Sequence, residues 1–220
     1  MPKLASNLAK ELKDKGYVRL KATSDAEPTI EIAKRLGSIS FIQGIATVQE
    51  LIPRAADEAP ASSYGGLYGL GEFPLHTDMA HWYVPPHFFL LRCVRPVADV
   101  KTLVLHSQQL FACEDATTLR RALFRPRRRL EGRLTHLRLY EAGRCRWDPI
   151  FIVPTTQSAA DLRERIVHRI STGIVEELPL NDPKDCILLD NWSVLHGRTR
   201  VSLGNAHRRI ERVYLDWVHL

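Results

Sequence analysis

The chain has 220 residues, of which 45% are hydrophobic and 25% are charged, and this composition excludes a wholly disordered protein and allows one sizeable core. The net charge is +6, which leaves anionic ligands open. No apolar run approaches the roughly 18 residues of a membrane-spanning helix, and the N-terminal segment lacks the apolar block of a signal peptide. The sequence therefore predicts a single domain over residues 1–220, located in the cytoplasm and not in a membrane.

The cysteines and the arginine-rich segment each suggest a function that other features of the sequence do not support. The cysteines, which are widely spaced and include no C-x-x-C pair, are Cys93, Cys113, Cys145 and Cys186. They fit neither a disulfide framework nor a thiolate zinc site, and we expect small core or boundary residues.

Arginines cluster between Arg120 and Arg146, where they form either a solvated face or a site that binds phosphates or an acidic ligand. Because no RNP or GXXG signature accompanies them, nucleic-acid binding is disfavoured, although a basic anion-binding protein remains an alternative.

The N-terminal third predicts a helix, a strand and a second helix. Leucines recur every four residues before Gly16, which indicates an amphipathic helix ended by a glycine. The strand "YVRL" follows, and a second helix runs from Thr29 to Leu36 and ends at Gly37. Residues 53–72 are rich in Pro, Ala, Ser and Gly without periodicity, so we expect a long loop or lid over an active site.

The rest of the chain predicts short strands with helices between them. The strands, rich in β-branched and aromatic residues, are "HFFLLRCV" from His87, "KTLVLH" from Lys101, "RLTHLRLY" from Arg133, "RCRWD" from Arg144, "CILLDN" from Cys186 and "RRIERVYLDWV" from Arg208. A hairpin turn is expected at 141–143, a helix start at Ser107, and a capping box of Ser158 and Asp161 before another helix. The pattern favours a mainly β protein with flanking helices and a double-stranded β-helix core, the jelly roll of cupin-like proteins.

A histidine and an aspartate in "FPLHTDMAHW" carry the main chemical signal. On a strand, His76 and Asp78 share one face, and a buried carboxylate there needs a partner or a metal ion. A second histidine, His196, lies 120 residues later, after the apolar strand "CILLD". Two histidines and one carboxylate make the facial triad of non-haem Fe(II) oxygenases, and zinc is the competing metal.

Arginines near the C-terminus favour the oxygenase over a zinc hydrolase. On a strand, Arg208 and Arg212 share one face and Arg209 lies on the other. Arginines that face a jelly-roll interior need anions, and an oxygenase that uses 2-oxoglutarate needs a cation for the distal carboxylate. A hydrolytic zinc site needs no such clamp.

Four ordered motifs resemble the taurine dioxygenase (TauD/TfdA) family of Fe(II)/2-oxoglutarate oxygenases, which is close to clavaminate synthase. They are "FPLHTD", the threonine of "KTLVL" 26 residues after His76, "HGR" and "RRIERVYLDW". The resemblance covers about residue 60 to the C-terminus, and "GYVRL" with "AKRLGSI" is similar to the family's N-terminal strand and helix.

The resemblance implies a role for each matching residue. His76, Asp78 and His196 would ligate Fe(II), and Thr102 with Arg208 would bind the distal carboxylate of 2-oxoglutarate, with Arg209 as the alternative to Arg208. Arg212 would contact the substrate or the co-substrate. An aspartate at position 78 implies hydroxylation and not halogenation.

The resemblance also implies that O₂ and 2-oxoglutarate are consumed while a C–H bond of a small molecule is hydroxylated. The net charge favours a carboxylate-bearing substrate such as an amino acid or a biosynthetic intermediate, free or carrier-tethered. The oligomeric state, including a homo-oligomer, stays open.

Candidate pocket residues outside the motifs are Tyr68, Trp82, Arg146 and Asn191. Strand alternation predicts that His81 points away from His76. Arg198, two residues after His196, either supports the metal ligands without binding the metal or lies on the surface.

Overall fold

Within residues 2–128 and 135–219, which the computed structural model describes, the chain forms six α-helices and fourteen β-strands. The helices are α1 (Pro2–Lys15), α2 (Thr29–Leu36), α3 (Tyr64–Tyr68), α4 (Gln108–Phe111), α5 (Ala116–Arg121) and α6 (Gln157–Thr172). The strands of the N-terminal half are β1 (Tyr17–Lys21), β2 (Gly37–Ile39), β3 (Gln49–Leu51), β4 (Phe73–His76), β5 (Phe88–Arg95) and β6 (Lys101–His106). Those that follow are β7 (Phe124–Pro126), β8 (Tyr140–Glu141), β9 (Arg144–Cys145), β10 (Ile152–Pro154), β11 (Glu176–Pro179), β12 (Asp185–Asp190), β13 (Val194–Arg198) and β14 (Arg209–Val218).

The strands form two main antiparallel sheets. The larger has the order β1, β12, β5, β14, β2, with β3 also paired to β14. The smaller has the order β11, β6, β13, β4, and the pairs β7 with β10 and β8 with β9 stand apart. The prediction of a mainly β protein with flanking helices is therefore confirmed.

The two sheets pack face to face around a shared core. Phe89 and Leu91 of the larger sheet contact the same cluster as Val104 and Val194 of the smaller sheet. The neighbouring residue Leu90 points to the opposite face, into a cluster with residues of α1 and α2. β5 is buried on both faces, and its first four residues, "FFLL", form an apolar run that does not alternate.

Helices cover the outer faces of both sheets. Buried residues of α1 and α2 pack on the larger sheet, while Leu162 and Ile166 of α6 pack with Leu103 and Leu105 of the smaller one. At the end of α1, the amide of Gly16 donates to the Leu12 carbonyl over 2.8 Å, and its φ of 74° is one that glycine adopts without strain.

Several element predictions are wrong in detail. Residues 53–72 include a 3₁₀ turn at Ala56–Glu58 and helix α3, because Ser63 accepts a hydrogen bond from Gly66 and so caps a helix that composition alone conceals. Helix α6 starts one residue before Ser158, since the side chain of Thr156 caps it by accepting from Ala159. Ser107 precedes α4 but makes no capping side-chain bond.

Four further differences concern short segments. The strand predicted from Arg144 covers only two residues, and β13 was not predicted at all. The segment from Arg133 falls partly on residues 129–134, outside the described residues, and ends in β8. Cys113 is exposed, unlike the other three cysteines. No helix in the described ranges combines the length and the apolar character needed to cross a membrane.

A close approach of two backbones holds β4 against β13. A Cβ added to Gly197 would lie 2.5 Å from the carbonyl oxygen of Phe73 and 3.2 Å from the carbonyl carbon of Pro74. Backbone atoms cannot move aside as a flexible side chain can. Glycine at this position is therefore required for the pairing of the two strands.

We expect Gly197→Ala to lower the free energy of unfolding by about 1–3 kcal/mol, because the added methyl group overpacks the strand pair. Gly204→Ala is the matched control, since a Cβ there meets no atom within 4 Å. Chemical denaturation followed by circular dichroism measures both. Equal stability of the two variants would show that the strands separate without cost.

Candidate metal centre

His76, Asp78 and His196 form a buried cluster between the two sheets. Their ligand atoms all lie within 4.8 Å of one another. Nε2 of His76 lies 3.5 Å from Oδ1 of Asp78, and Nε2 of His196 lies 3.7 Å from the same oxygen. Donors about 2.1 Å from one ion at right angles or wider are separated by about 3.0–3.6 Å, so a small contraction brings these atoms to ligand spacing.

Strand pairing places the two histidines. His76 is the last residue of β4 and lies directly opposite His196 of β13. Their ring centroids are 4.4 Å apart. The pairing joins residues 120 positions apart in sequence, and it fixes both imidazoles on the face that looks toward the larger sheet.

Asp78 reaches the cluster by a turn and not by strand alternation. β4 ends at His76, and Met79 has a φ of 52°, in the left-handed region that side chains rarely adopt. Asn191 fixes this segment, because its Oδ1 accepts from the amide of Asp78 over 2.8 Å and its Nδ2 donates to the carbonyl of Asp78 over 3.0 Å. The expectation of one continuous strand through Asp78 is therefore wrong, although the residue does join the cluster.

The protonation states of the three residues fit a metal ion. The Nδ1 atom of His76 lies 2.9 Å from the carbonyl oxygen of Pro74, and a bond donated to it leaves Nε2 with a free lone pair. Burial, reinforced by His76, lowers the pKa of His196 to about 3, so its imidazole is neutral at pH 7. Burial would raise the pKa of Asp78, but Arg212 and the two histidines outweigh it and hold the pKa below its usual range.

Arg212 on β14 contacts Asp78 from the opposite sheet. Its Nη1 donates to Oδ2 of Asp78 over 2.6 Å, and its Nη2 donates to Oε1 of Gln49 over 2.7 Å. One carboxylate oxygen of Asp78 is therefore held by arginine while the other is directed at the histidines. Arg212 lines the cavity, and its expected contact with substrate or co-substrate stays a prediction.

Arg208, by contrast, makes no side-chain hydrogen bond or ion pair with any described residue. It is only 5% exposed, and its Nε is buried without a partner. Burial, followed by the positive charge of Arg198, lowers its pKa to about 10, which still leaves it charged at pH 7. The neighbouring Arg209 turns away and pairs with Glu50 and Glu211.

A cavity of about 450 Å³ brings these groups together. It is lined by the three clustered residues and by Thr102, Arg198, Arg208 and Arg212. Thr102 and Arg198 are opposite one another on β6 and β13. All six site residues predicted from the sequence thus lie on one cavity, and their roles remain predictions.

Sequence reasoning missed the other wall of the cavity. The missed lining residues with aromatic or titratable side chains are Glu50, Arg54, Tyr64, Phe73, His81, Asp148, Phe151 and Tyr214. The centroid of the Tyr64 ring lies 4.9 Å from that of His76, with the two rings tilted by 36°, so the segment predicted as a lid does contact the cluster. His81, expected to point away, lines the cavity because strand alternation does not continue through the turn at Met79.

The pocket candidates named from the sequence lie outside the cavity, and two of them brace the segment that carries Asp78 and His81. None of Tyr68, Trp82, Arg146 and Asn191 lines the cavity. Arg146 donates to the carbonyls of Ala80, Trp82 and Tyr83, so it braces the turn that carries His81. Asn191 braces Asp78 in the same way.

Comparison with known proteins shows the fold. The chain is similar to the structure of an asparagine oxygenase in complex with Fe(II), 2S,3S-3-hydroxyasparagine and succinate, with a TM-score of 0.68 and 19% identity over 98% of this chain and 79% of that chain. It is also similar to the non-heme iron oxygenase OrfP in complex with Fe and alpha-ketoglutaric acid, with a TM-score of 0.70 and 15% identity over 98% of this chain and 80% of that chain. No family model matches the chain. No curated protein matches it either.

We expect Asn191→Ala to weaken metal binding by about 10–100-fold although Asn191 is no ligand, because its two hydrogen bonds to the Asp78 backbone hold the carboxylate in position. The variant also leaves buried backbone groups of Asp78 unpaired, at a cost of about 1–3 kcal/mol in stability. Titration with Co(II), followed by visible absorption, measures the affinity. Asn181→Ala, at an exposed position, is the control; unchanged Co(II) affinity in Asn191→Ala would contradict the bracing role.

Proposed function

We propose that this protein is a non-haem Fe(II)/2-oxoglutarate-dependent dioxygenase with a double-stranded β-helix core. The reaction is the hydroxylation of an unactivated C–H bond of a small molecule, with succinate and CO₂ as co-products. One observation carries the proposal: a buried His76, Asp78 and His196 cluster shares its cavity with Arg208, a buried cation that pairs with no described residue.

The chain's own residues fit the metal. His76, Asp78 and His196 would hold Fe(II) from one side and leave positions open for other ligands. Fe(II), 2-oxoglutarate and O₂ together supply the oxidising chemistry when bound. Arg212 fixes the orientation of the Asp78 carboxylate through Oδ2, and the hydrogen bond between His76 and Pro74 fixes one imidazole.

Arg208 and Thr102 are the proposed binders of the distal carboxylate of 2-oxoglutarate. A guanidinium that is 5% exposed carries a desolvation cost that a bidentate carboxylate would offset. The hydroxyl of Thr102, buried on β6 in the same cavity, is a suitable second donor. Arg198 adds positive charge nearby, while its own side chain donates to the carbonyls of Thr199 and Gly69.

The substrate of the proposed reaction is an amino acid or a similarly small molecule. The complexes of the similar proteins contain 3-hydroxyasparagine and, in another OrfP structure with a TM-score of 0.68, (3R,4R)-dihydroxy-L-Arg. The cavity of about 450 Å³ would accept a molecule of this size beside 2-oxoglutarate. The rings of Tyr64 and Phe73 cover the cluster and would keep water from it.

The main alternative chemistry is zinc hydrolysis, since zinc accepts the same three ligands. A hydrolytic zinc site does not require Arg208, the buried arginine that lines the same cavity and forms no ion pair with a described residue. A basic anion-binding protein is disfavoured because the described part of the arginine-rich segment is partly engaged internally: Arg138 pairs with Glu141, and Arg146 donates to backbone carbonyls.

We expect the protein to develop a weak visible charge-transfer band when Fe(II) and 2-oxoglutarate are added without oxygen, because 2-oxoglutarate would bind directly to the Fe(II) that the protein holds. His76→Ala should remove the band. His207→Ala, which alters an exposed histidine, should leave it unchanged. A wild-type protein that shows no band would refute the proposed function.

Arg208 and Arg209 offer a matched pair for testing co-substrate binding. We expect Arg208→Met to weaken 2-oxoglutarate binding by roughly 30-fold or more, since loss of a buried charged partner costs about 2–5 kcal/mol. Arg209→Met should have little effect, because Arg209 already pairs with Glu50. Titration of the charge-transfer band measures both constants, and the reverse result would assign the clamp to Arg209.

A further inference from the structure

A carboxylate lines the cavity and has no counter-ion. Asp148 is 4% exposed and makes no ion pair with any described residue. Asp78, the other buried carboxylate of the cavity, is matched by Arg212. Arg54 also lines the cavity, but it is exposed and lies beyond ion-pair distance of Asp148.

Among the described residues, backbone amides donate to only one oxygen of Asp148. Oδ1 accepts from the amides of Ile150 over 2.7 Å and Phe151 over 2.6 Å. The neighbouring side-chain donor is the hydroxyl of Tyr64. The two amides leave the second oxygen to that hydroxyl and to a ligand in the cavity.

Three residues that line the cavity beside Asp148 carry no charge at pH 7. The Tyr64 hydroxyl is buried beside the Asp148 carboxylate, and burial, followed by the charge of Asp148 and a hydrogen bond to it, raises the pKa of Tyr64, so it stays protonated. Burial lowers the pKa of His81, whose imidazole is therefore neutral at pH 7 and whose Nδ1 is buried without a partner. The Phe151 ring lies 5.6 Å from the rings of both Tyr64 and His81.

Charge therefore divides the cavity between two buried, unpaired groups of opposite sign. The positive one is Arg208, the proposed site of the 2-oxoglutarate carboxylate. The negative one is Asp148, whose burial without a counter-ion is unfavourable and becomes less so when a bound cation lies against it. Aromatic faces such as those of Tyr64 and Phe151 further favour a cationic group.

We propose that Asp148, with Tyr64 and His81 beside it, binds a positively charged nitrogen of the substrate, which is therefore an amino acid with an ammonium or guanidinium group in its side chain. The inference rests on the proposed oxygenase function, whose substrate it specifies. The competing explanation is that Asp148 only caps the turn at Ile150 and Phe151. An asparagine would cap that turn equally well through its own Oδ1.

The test compares ligands that differ in charge and little in shape. L-arginine is paired with L-citrulline, and L-lysine with L-norleucine. Each is titrated by calorimetry, without oxygen, into the protein loaded with Fe(II) and 2-oxoglutarate. We expect at least one cationic member to bind about 10-fold or more tightly than its neutral partner, as charge-assisted hydrogen bonds provide.

Two variants assign that preference to residues. Asp148→Asn keeps the turn and should bring the affinity ratio of the pair close to one. Tyr64→Phe keeps the ring against His76 and should lower the ratio several-fold. Glu50→Gln is the control, because it removes a carboxylate from the same cavity wall that is exposed and already paired with Arg209.

The outcomes separate the inference from the function on which it rests. A charge-transfer band together with equal binding of both members of each pair overturns the cation site and leaves the oxygenase standing. A ratio that survives Asp148→Asn also overturns it. The titrations are repeated without iron and 2-oxoglutarate. The affinity ratio of each pair then tests the cation site even if no charge-transfer band forms.

Discussion

The antiparallel pairing of β4 with β13 is the interaction on which the rest of the site depends. It sets His76 opposite His196, and the close approach of the two backbones at Gly197 leaves no room for a Cβ. Both strands belong to the smaller sheet, so the imidazoles are fixed by backbone hydrogen bonds and not by flexible loops. Only the carboxylate then has to be brought to them.

Asp78 is brought there by contacts from the opposite sheet and from the turn after β12. Arg212 lies on β14 of the larger sheet and holds Oδ2, while Asn191 follows β12 and holds the backbone. The cluster therefore joins the two sheets at the point where they face each other. A change in the spacing of the sheets would move Arg212 relative to the histidines, and this couples core packing to the geometry of the site.

The sequence was sufficient where local pattern decides structure. Strands β5 and β12 are buried on both faces, and the apolar runs within them, "FFLL" and "CILL", led to their recognition as strands. It was insufficient where the chain turns: alternation counted through Met79 gave the wrong direction for His81, because the positive φ there breaks the two-residue period. β13 was missed since its five residues include histidine, glycine and arginine, whose burial depends on partners far away in sequence.

Asp148 shows the same limit from the functional side. Its motif, "RCRWDP", predicts a strand end, and nothing local distinguishes a carboxylate that caps a turn from one that also faces a ligand. Only the structure shows that Asp148 forms no ion pair with a described residue and that Arg208 lines the same cavity. Two buried charges of opposite sign that do not pair would be costly in a structural core, whereas a cavity that binds two ligands of opposite charge needs both.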